Sequence, residues 1–319
     1  MRQGTSVETN DGGLDAFRGD RIYLGADHAR NERRTWIVAG LCTAALLAQI
    51  GGGLAFHSMA LLAGGLHMAA HVAALVVAAA AYGLARRYAQ DRRFSFGTGK
   101  LGYLAAFANA VVLAAAALAV LVESVERLVD PGHVEFEGAL PLAAAALGLT
   151  VVCAVILRPG RTRHHHDATG DLNLSVAHFH LTADAAVSVL GMAGLWAGRN
   201  LGWTWADPLA GLLGAALIAH FAVSLIRQAG AVLLDMNPSP TLSEEVRGRL
   251  ETDGAKVIDL HLWRLGPGHH AAIVVLAAAS PLPVRDYRAR VAGLPGLSHL
   301  TIEVRDIEPG ALTHSHGSV

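Results

Sequence analysis

The sequence predicts an all-α membrane domain of six transmembrane helices, followed by a C-terminal cytoplasmic α+β domain of the ferredoxin-like type. The chain has 319 residues, of which 53% are hydrophobic and only 16% charged, so it is too apolar for an ordinary soluble protein. Long uncharged stretches lie between residues 35 and 226, and the residues after them alternate between helix and strand patterns. The formal net charge of −1 gives no reason to expect nucleic-acid binding.

The six spans follow from the length of the apolar stretches, since a transmembrane helix needs about 20 consecutive apolar residues. Residues from Thr35 to Ala85 include no Asp, Glu, Lys or Arg, and they suit two spans with a tight connection near Gly51–Ser58. The other four spans are predicted at Leu101–Val122, Gly138–Leu157, Asn173–Gly198 and Pro208–Ile226. Asp184, in the fifth span, is the only acidic residue within these stretches.

Basic residues are concentrated on one side of the predicted spans. They lie in the N-terminal flank and in the loops after spans two and four: Arg30, Arg33, Arg34, Arg86, Arg87, Arg92, Arg93, Lys100, Arg158, Arg161 and Arg163. The opposite side has only Arg127 and Arg199, together with several acidic residues. Because cytoplasmic loops carry the excess of Lys and Arg, we expect a multi-pass protein of the cytoplasmic (inner) membrane with both termini in the cytoplasm.

The C-terminal part changes composition at "DMNPSP", where two prolines end the helical pattern. A helix near Thr241–Glu251 precedes two strand patterns, a short helix near Val284–Gly293 and a third strand pattern, "HLTIEVRDI". This order predicts a small α+β domain. The predicted divisions are therefore a cytoplasmic N-terminal segment (1–34), a transport domain (35–232), the ferredoxin-like domain (233–309) and a flexible tail (310–319).

Two further features of the sequence are interpreted as structural, one within the spans and one between them. Cys42 and Cys153 both lie inside apolar runs, which is typical of small buried side chains and not of a disulfide or thiolate site. The stretch "RFSFGTGKLG" is rich in glycine but lacks the spacing of a phosphate-binding loop, so it predicts a compact turn before span three.

Four side chains in spans two and five predict a metal site. His67 and His71 are four residues apart and share one face of their helix, and His180 and Asp184 repeat that spacing. Facing pairs would supply three imidazoles and one carboxylate, which suits tetrahedral Zn²⁺, Co²⁺ or Ni²⁺. A single membrane histidine is more often a packing residue, but two such pairs favour a shared site. His178 is assigned to packing or to support of the ligands.

The same residues predict coupling to protons. Imidazole titrates near neutral pH, and a metal ion binds only its neutral form, so loading the site must release protons. A proton gradient could then drive metal in the opposite direction.

Further histidines give weaker predictions. His164, His165 and His166 precede span five and could capture metal near the entrance, or could form a solvated loop. A second, regulatory site could use histidines of the C-terminal domain, although strand alternation separates them; these are His261, His269, His270 and His299. His314 and His316, in the tail, are weaker still.

Together these residues resemble the cation diffusion facilitator family of divalent-metal exporters. The resemblance rests on "SMALLAGGLHMAAH", "RFSFGTGKLGYLAAFANAVVL", "HHHDATGDLNLSVAHFHLTADAAVSVL" and "WADPLAGLLGAAL", and it covers about residues 33 to 308. It implies six spans, a cytoplasmic ferredoxin-like domain that forms a homodimer, and His67, His71, His180 and Asp184 as transport ligands. The H-x-x-x-H of span two is similar to the cobalt/nickel-exporting branch, since zinc exporters more often have Asp at the position of His71.

One position departs from the family pattern. An acidic residue usually lies three positions before the first histidine of span two, and here that position is Gly64. The expected function is efflux of Co²⁺ or Ni²⁺ by alternating access and proton antiport, with no cofactor other than the transported ion. A zinc-preferring exporter of the same family is the alternative. A membrane di-iron enzyme, a bis-histidine haem protein and a metal sensor without transport remain competing hypotheses.

Overall fold

The computed structural model describes residues 23–25, 27–55, 59–129, 136–159, 171–203, 205–237 and 239–308. These residues form six long helices, then a short helix and a small sheet with one further helix. The long helices are α1 (His28–Ala55), α2 (Met59–Arg87), α3 (Leu101–Val129), α4 (Phe136–Ile156), α5 (Leu172–Leu201) and α6 (Ala206–Leu233). At 1.5 Å per residue they are about 31 to 45 Å long, and the hydrocarbon core of a bilayer is about 30 Å thick.

Several of these helices have the length and composition of membrane spans. Among the described residues, four segments are long and apolar enough to cross a bilayer: His28–Gly51, Leu101–Val129, Leu172–Leu201 and Pro208–Leu233. Large apolar side chains on the outside of the bundle are strongly exposed, including Leu47 (66%) and Val155 (67%). Such surfaces are unfavourable in water and suit contact with lipid. Six spans in total remain a prediction.

The helices pack around α5, which contributes to two apolar clusters. One face of α5 places Leu174 and Leu181 among buried residues of α1, α2 and α4. Another face places Val176 and Ala183 against α3 and α6, where most of the buried residues are alanines. Because lipid offers little hydrophobic driving force between helices, small residues that allow close approach stabilise such a bundle through van der Waals contact.

The first helix begins earlier than the boundary predicted at residue 34. α1 starts at His28, because its first turns bind polar groups of neighbouring helices and are not simply a flank of the apolar stretch. Charged residues mark the expected edge of the membrane, but they do not end a helix.

The C-terminal residues form the predicted order of helices and strands. They are α7 (Pro240–Leu250), β1 (Lys256–Gly266), β2 (His269–Ala278), α8 (Val284–Val291) and β3 (Leu297–Asp306). The sheet order is β1-β2-β3, with β1 antiparallel and β3 parallel to β2. Helices α7 and α8 cover a core that includes Val246, Leu250, Leu276 and Tyr287. Whether the domain is ferredoxin-like remains a prediction.

The turn between α2 and α3 contacts the C-terminal domain. The ring of Phe96 packs edge-on against Trp263 of β1, with ring centroids 5.4 Å apart. Gly99 lies so close to Gly266 that a Cβ atom at Gly99 would meet the backbone oxygen of Leu265 at 2.3 Å and that of Tyr23 at 2.7 Å. We call this three-way contact of Tyr23, Gly99 and Gly266 the glycine junction. Lys100 also forms an ion pair with Asp235.

The turn itself has the compact structure that its glycines predict. Gly97 adopts a positive φ of 71°, which a residue with a side chain rarely adopts. Asp91 accepts hydrogen bonds from the side chain and the backbone N–H of Arg93, and these bonds hold the pKa of Asp91 below its usual value.

Candidate metal site

The helices α2 and α5 bring together three of the four predicted ligands. His71 is only 4% exposed, and its Nδ1 lies 3.0 Å from Nε2 of His180. Its other nitrogen, Nε2, lies 3.3 Å from Oδ2 of Asp184. The imidazole of His71 therefore lies between a histidine and a carboxylate of the neighbouring helix.

These distances agree with the size of a metal site. Zinc–nitrogen and zinc–oxygen bonds of 2.0 to 2.1 Å at tetrahedral angles place the donor atoms about 3.3 Å apart. The 3.0 and 3.3 Å contacts are close to that spacing. A single ion cannot bind through both nitrogens of one ring, however, so the observed arrangement is a hydrogen bond from His71 to His180 together with a 3.3 Å contact from His71 to Asp184.

The contacting side chains do not by themselves form a complete ligand set. Within the described residues, no group of three or more His, Cys, Asp or Glu side chains has the spacing of a metal-binding cluster. A metal ion bound by His71 would take the place of at least one of these two contacts. His67 lies one turn earlier in α2, and for His67 and Gly64 the structure describes only the helical backbone.

The weaker histidine candidates are dispersed or lie elsewhere. His178 bonds the backbone oxygen of Ala154 at 2.9 Å and joins α5 to α4, as a packing residue should. His164, His165, His166, His314 and His316 are outside the described residues.

The histidines of the C-terminal domain have separate surroundings. His261 contacts Asp259 at 2.9 Å, His269 contacts Ser298, His270 is buried next to Arg264, and the ring of His299 faces Phe96. A regulatory metal site that joins them within one chain therefore gains no support from this structure.

Polar side chains at one end of the bundle were not identified from the sequence. Asp171 caps α5 and accepts hydrogen bonds from Tyr82 and, at 2.8 Å, from Asn31. Beside them, Arg86 donates to Glu32 at 2.7 Å. We call these five residues the polar network; it joins α1, α2 and α5 about 16 Å, or three helical turns, from His71. The signal available in the sequence was the presence of polar residues at the ends of apolar helices.

Comparison with known proteins places the helical part of the chain in a known family. Residues 35–234 match the family model described as the cation efflux transmembrane domain. The chain is 31% identical over 252 residues to the metal cation efflux system protein CzcD of Cupriavidus metallidurans, covering 77% of each chain.

The chain belongs to the cation diffusion facilitator family of metal exporters. It is also 26% identical to the cadmium, cobalt and zinc/H(+)-K(+) antiporter of Bacillus velezensis, over 79% of this chain and 82% of the relative. The zinc transporter ZitB of Escherichia coli is 29% identical over 74% of both chains. These relatives are named as transporters and not as enzymes, so the family expected from the sequence is confirmed and the enzyme hypothesis is excluded.

Proposed function

We propose that this exporter carries Co²⁺, Ni²⁺ or Zn²⁺ out of the cytoplasm in exchange for protons, with His67, His71, His180 and Asp184 as ligands. The observation that carries the proposal is the direct contact of His71 with both His180 and Asp184. Three nitrogens and one carboxylate satisfy the tetrahedral preference of a first-row ion. The site would open alternately to each side of the inner membrane, in a homodimer with cytoplasmic termini.

The two contacts of His71 support the exchange of metal for protons. Nδ1 of His71 lies 3.0 Å from His180 and Nε2 lies 3.3 Å from Asp184, so protons on these groups can hold the site together without a metal ion. A metal ion needs the same atoms without their protons. The two cargoes therefore compete for one set of donors, which is the requirement for antiport.

The cobalt/nickel preference and the zinc alternative differ in their support. The pair of histidines in α2 favours the more nitrogen-rich site expected for Co²⁺ and Ni²⁺. The relatives include proteins named for zinc, cobalt and cadmium, so zinc is an equally supported cargo. The donor set alone does not rank the ions, because affinity for such sites does not fix selectivity in cells.

Transport by purified protein in liposomes tests the proposal. We expect uptake of Co²⁺, Ni²⁺ or Zn²⁺ that rises with an imposed pH gradient and is abolished in Asp184→Ala. Asp286→Ala, which removes an exposed carboxylate of α8, serves as the control and should transport normally.

Three outcomes would contradict the proposed function. Full transport by Asp184→Ala would reject the ligand assignment. Flux that is indifferent to the pH gradient would reject proton coupling. Metal binding by the wild type with no flux for any of the three ions would favour a sensor.

A further inference from the structure

A small cavity adjoins the two contacting histidines. It is lined by His71, His180 and Asn109 and otherwise by aliphatic side chains of α2 and α5. Its empty volume is about 270 Å³ out to its opening, and its inner space accommodates about one water-sized occupant. A cavity of this size can hold a metal ion or one of its water ligands, but not a larger solute.

Asn109 contributes a polar group from a third helix. It belongs to α3, is only 5% exposed, and lies in the otherwise apolar stretch "LAAFANAVVL". Its Nδ2 donates to the backbone oxygen of Ala74 at 3.1 Å, one turn of α2 beyond His71. Because a carbonyl oxygen requires a donor, this bond fixes which end of the amide is nitrogen and leaves Oδ1 as the acceptor.

Most of the cavity lies on one side of the two histidines. Ala74 and Leu75 follow His71 in α2, and Val176 and Ala177 precede His180 in α5, whereas Leu181 follows His180. The first four lie toward the end of the bundle that holds the polar network and contacts the C-terminal domain. An occupant of the cavity therefore adjoins the histidines mainly on the side of that end.

We propose that Asn109 is a further cargo-contacting residue, whose Oδ1 binds the transported ion, directly or through one of its water ligands, in the cavity next to His71 and His180. The inference rests on the proposed function. An amide oxygen is a neutral donor, so it binds a divalent ion without taking up or releasing a proton. It holds the partly dehydrated ion while the imidazoles exchange hydrogen bonds for metal bonds.

Two substitutions with opposite expected effects test this proposal in the liposome assay. Asn109→Leu keeps the approximate size and removes the oxygen, and we expect its KM for metal to rise about 10- to 100-fold, as for the loss of a supporting group at a metal site. Asn109→Asp keeps the oxygen and adds a charge, and we expect a lower KM together with a lower kcat, because the ion leaves more slowly. Co²⁺ absorbance of the purified protein gives an independent readout of the ion's surroundings.

Asn173→Leu is the matched control. Asn173 is also a buried amide, 1% exposed, and it donates to the backbone oxygen of Ala78 at 2.9 Å, one turn farther along α2, but it does not line the cavity. We expect this variant to lose stability while keeping the wild-type KM and order of metals.

The possible results separate the two proposals. A wild-type KM in Asn109→Leu, with Asp184→Ala inactive, would overturn the role of Asn109 and leave the transport site intact. Transport by Asp184→Ala would instead overturn the proposed function. If Asn109→Leu does not fold, Asn109→Asp decides: an unchanged KM overturns the inference, and a lowered one supports it.

Discussion

Both ring nitrogens of His71 are engaged, one by His180 and the other by Asp184. A side chain with two contacts of this kind is fixed in rotamer and in ring orientation. If His71 binds the cargo as proposed, metal binding must offset the loss of at least one of these contacts. We therefore expect the chemistry of His71 to influence which ion is transported.

Replacement of His71 by aspartate should shift the order of cargoes. We expect His71→Asp to weaken transport of Co²⁺ and Ni²⁺ relative to Zn²⁺ by about tenfold, because the site exchanges an imidazole for a harder carboxylate. The ratio of KM values in liposomes measures the shift. His178→Asn, which alters a histidine bonded to Ala154 and not to the site, should leave the order unchanged. An unaltered order in His71→Asp would show that selectivity arises elsewhere.

The spacing of four residues predicts that the members of each pair share one helix face, and the structure brings His71 into contact with His180 and Asp184. Their role as ligands stays a prediction. Asn109 could not be found in this way, because it is a single polar residue whose significance depends on which helix α3 faces. The two contacts of His71 were also unpredictable, since they depend on the orientation of its ring.

Close approach of helices depends on individual glycines. Gly211 of α6 faces Ser124 of α3, and a Cβ atom at Gly211 would lie 2.2 Å from the Oγ of that serine. The absence of a side chain at Gly211 therefore lets the two helices pack closely at Ser124 without moving the serine hydroxyl.

Gly211→Ala should destabilise the bundle by about 1–3 kcal/mol, because overpacking forces the helices apart. Thermal unfolding in detergent measures the effect. Gly148→Ala in α4, where no atom lies within 4 Å, is the control and should be neutral or slightly stabilising. The double variant Gly211→Ala with Ser124→Gly should recover stability; failure to recover would assign the loss to another cause.

The polar network fixes the ends of three helices. Tyr82 donates to Asp171, which also accepts from Asn31, so a carboxylate links α1, α2 and α5 at the end of the bundle nearest the C-terminal domain. Any motion that opens this end of the site must separate these groups or move them together.

Tyr82→Phe should lower the free energy of unfolding by about 1.5–3 kcal/mol, since the hydrogen bond of a buried tyrosine to a partly buried carboxylate is lost. A lower midpoint of thermal unfolding would show it. Tyr88→Phe, in the turn after α2, is the matched substitution outside the network and should have little effect. Equal midpoints for both variants would contradict a stabilising role for the network.

At the level of elements, the order of helices and strands was predictable from periodicity and breaks such as "DMNPSP". The start of α1 at His28 was not, because tertiary hydrogen bonds extend a helix beyond its apolar stretch. The partners in the polar network are up to 140 residues apart in sequence, and no local pattern joins Asn31 to Asp171.

Across the whole molecule, the glycine junction joins the N-terminal segment, the α2–α3 turn and the β1–β2 hairpin. The contact involves backbone atoms of Tyr23 and Leu265, which cannot rotate away as a side chain could. The junction therefore holds the C-terminal domain against the α2–α3 turn, two residues before α3 begins.

Gly99→Ala should loosen this connection without unfolding either part. We expect faster hydrogen exchange in Tyr23 and in the β1–β2 hairpin, because the added Cβ would meet backbone oxygen at 2.3 Å. Gly248→Ala, in α7 with no atom within 4 Å, is the control. If hydrogen exchange in Gly99→Ala is unchanged, the glycine junction accommodates the added Cβ atom without separating.

The sequence predicts both domains but not the contact between them, because a pattern of glycines does not show which residues each glycine will meet.

The two buried thiols, finally, offer a way to detect movement of α1 relative to α4. Cys42 and Cys153 belong to α1 and α4, and their sulfur atoms are 3.9 Å apart. Both are free and buried, as their apolar surroundings predict. If α1 and α4 slide past each other during the transport cycle, the distance between the two sulfur atoms changes with it. The yield of disulfide formed by an added oxidant such as copper phenanthroline will then depend on the stage of the cycle, and no engineered label is required.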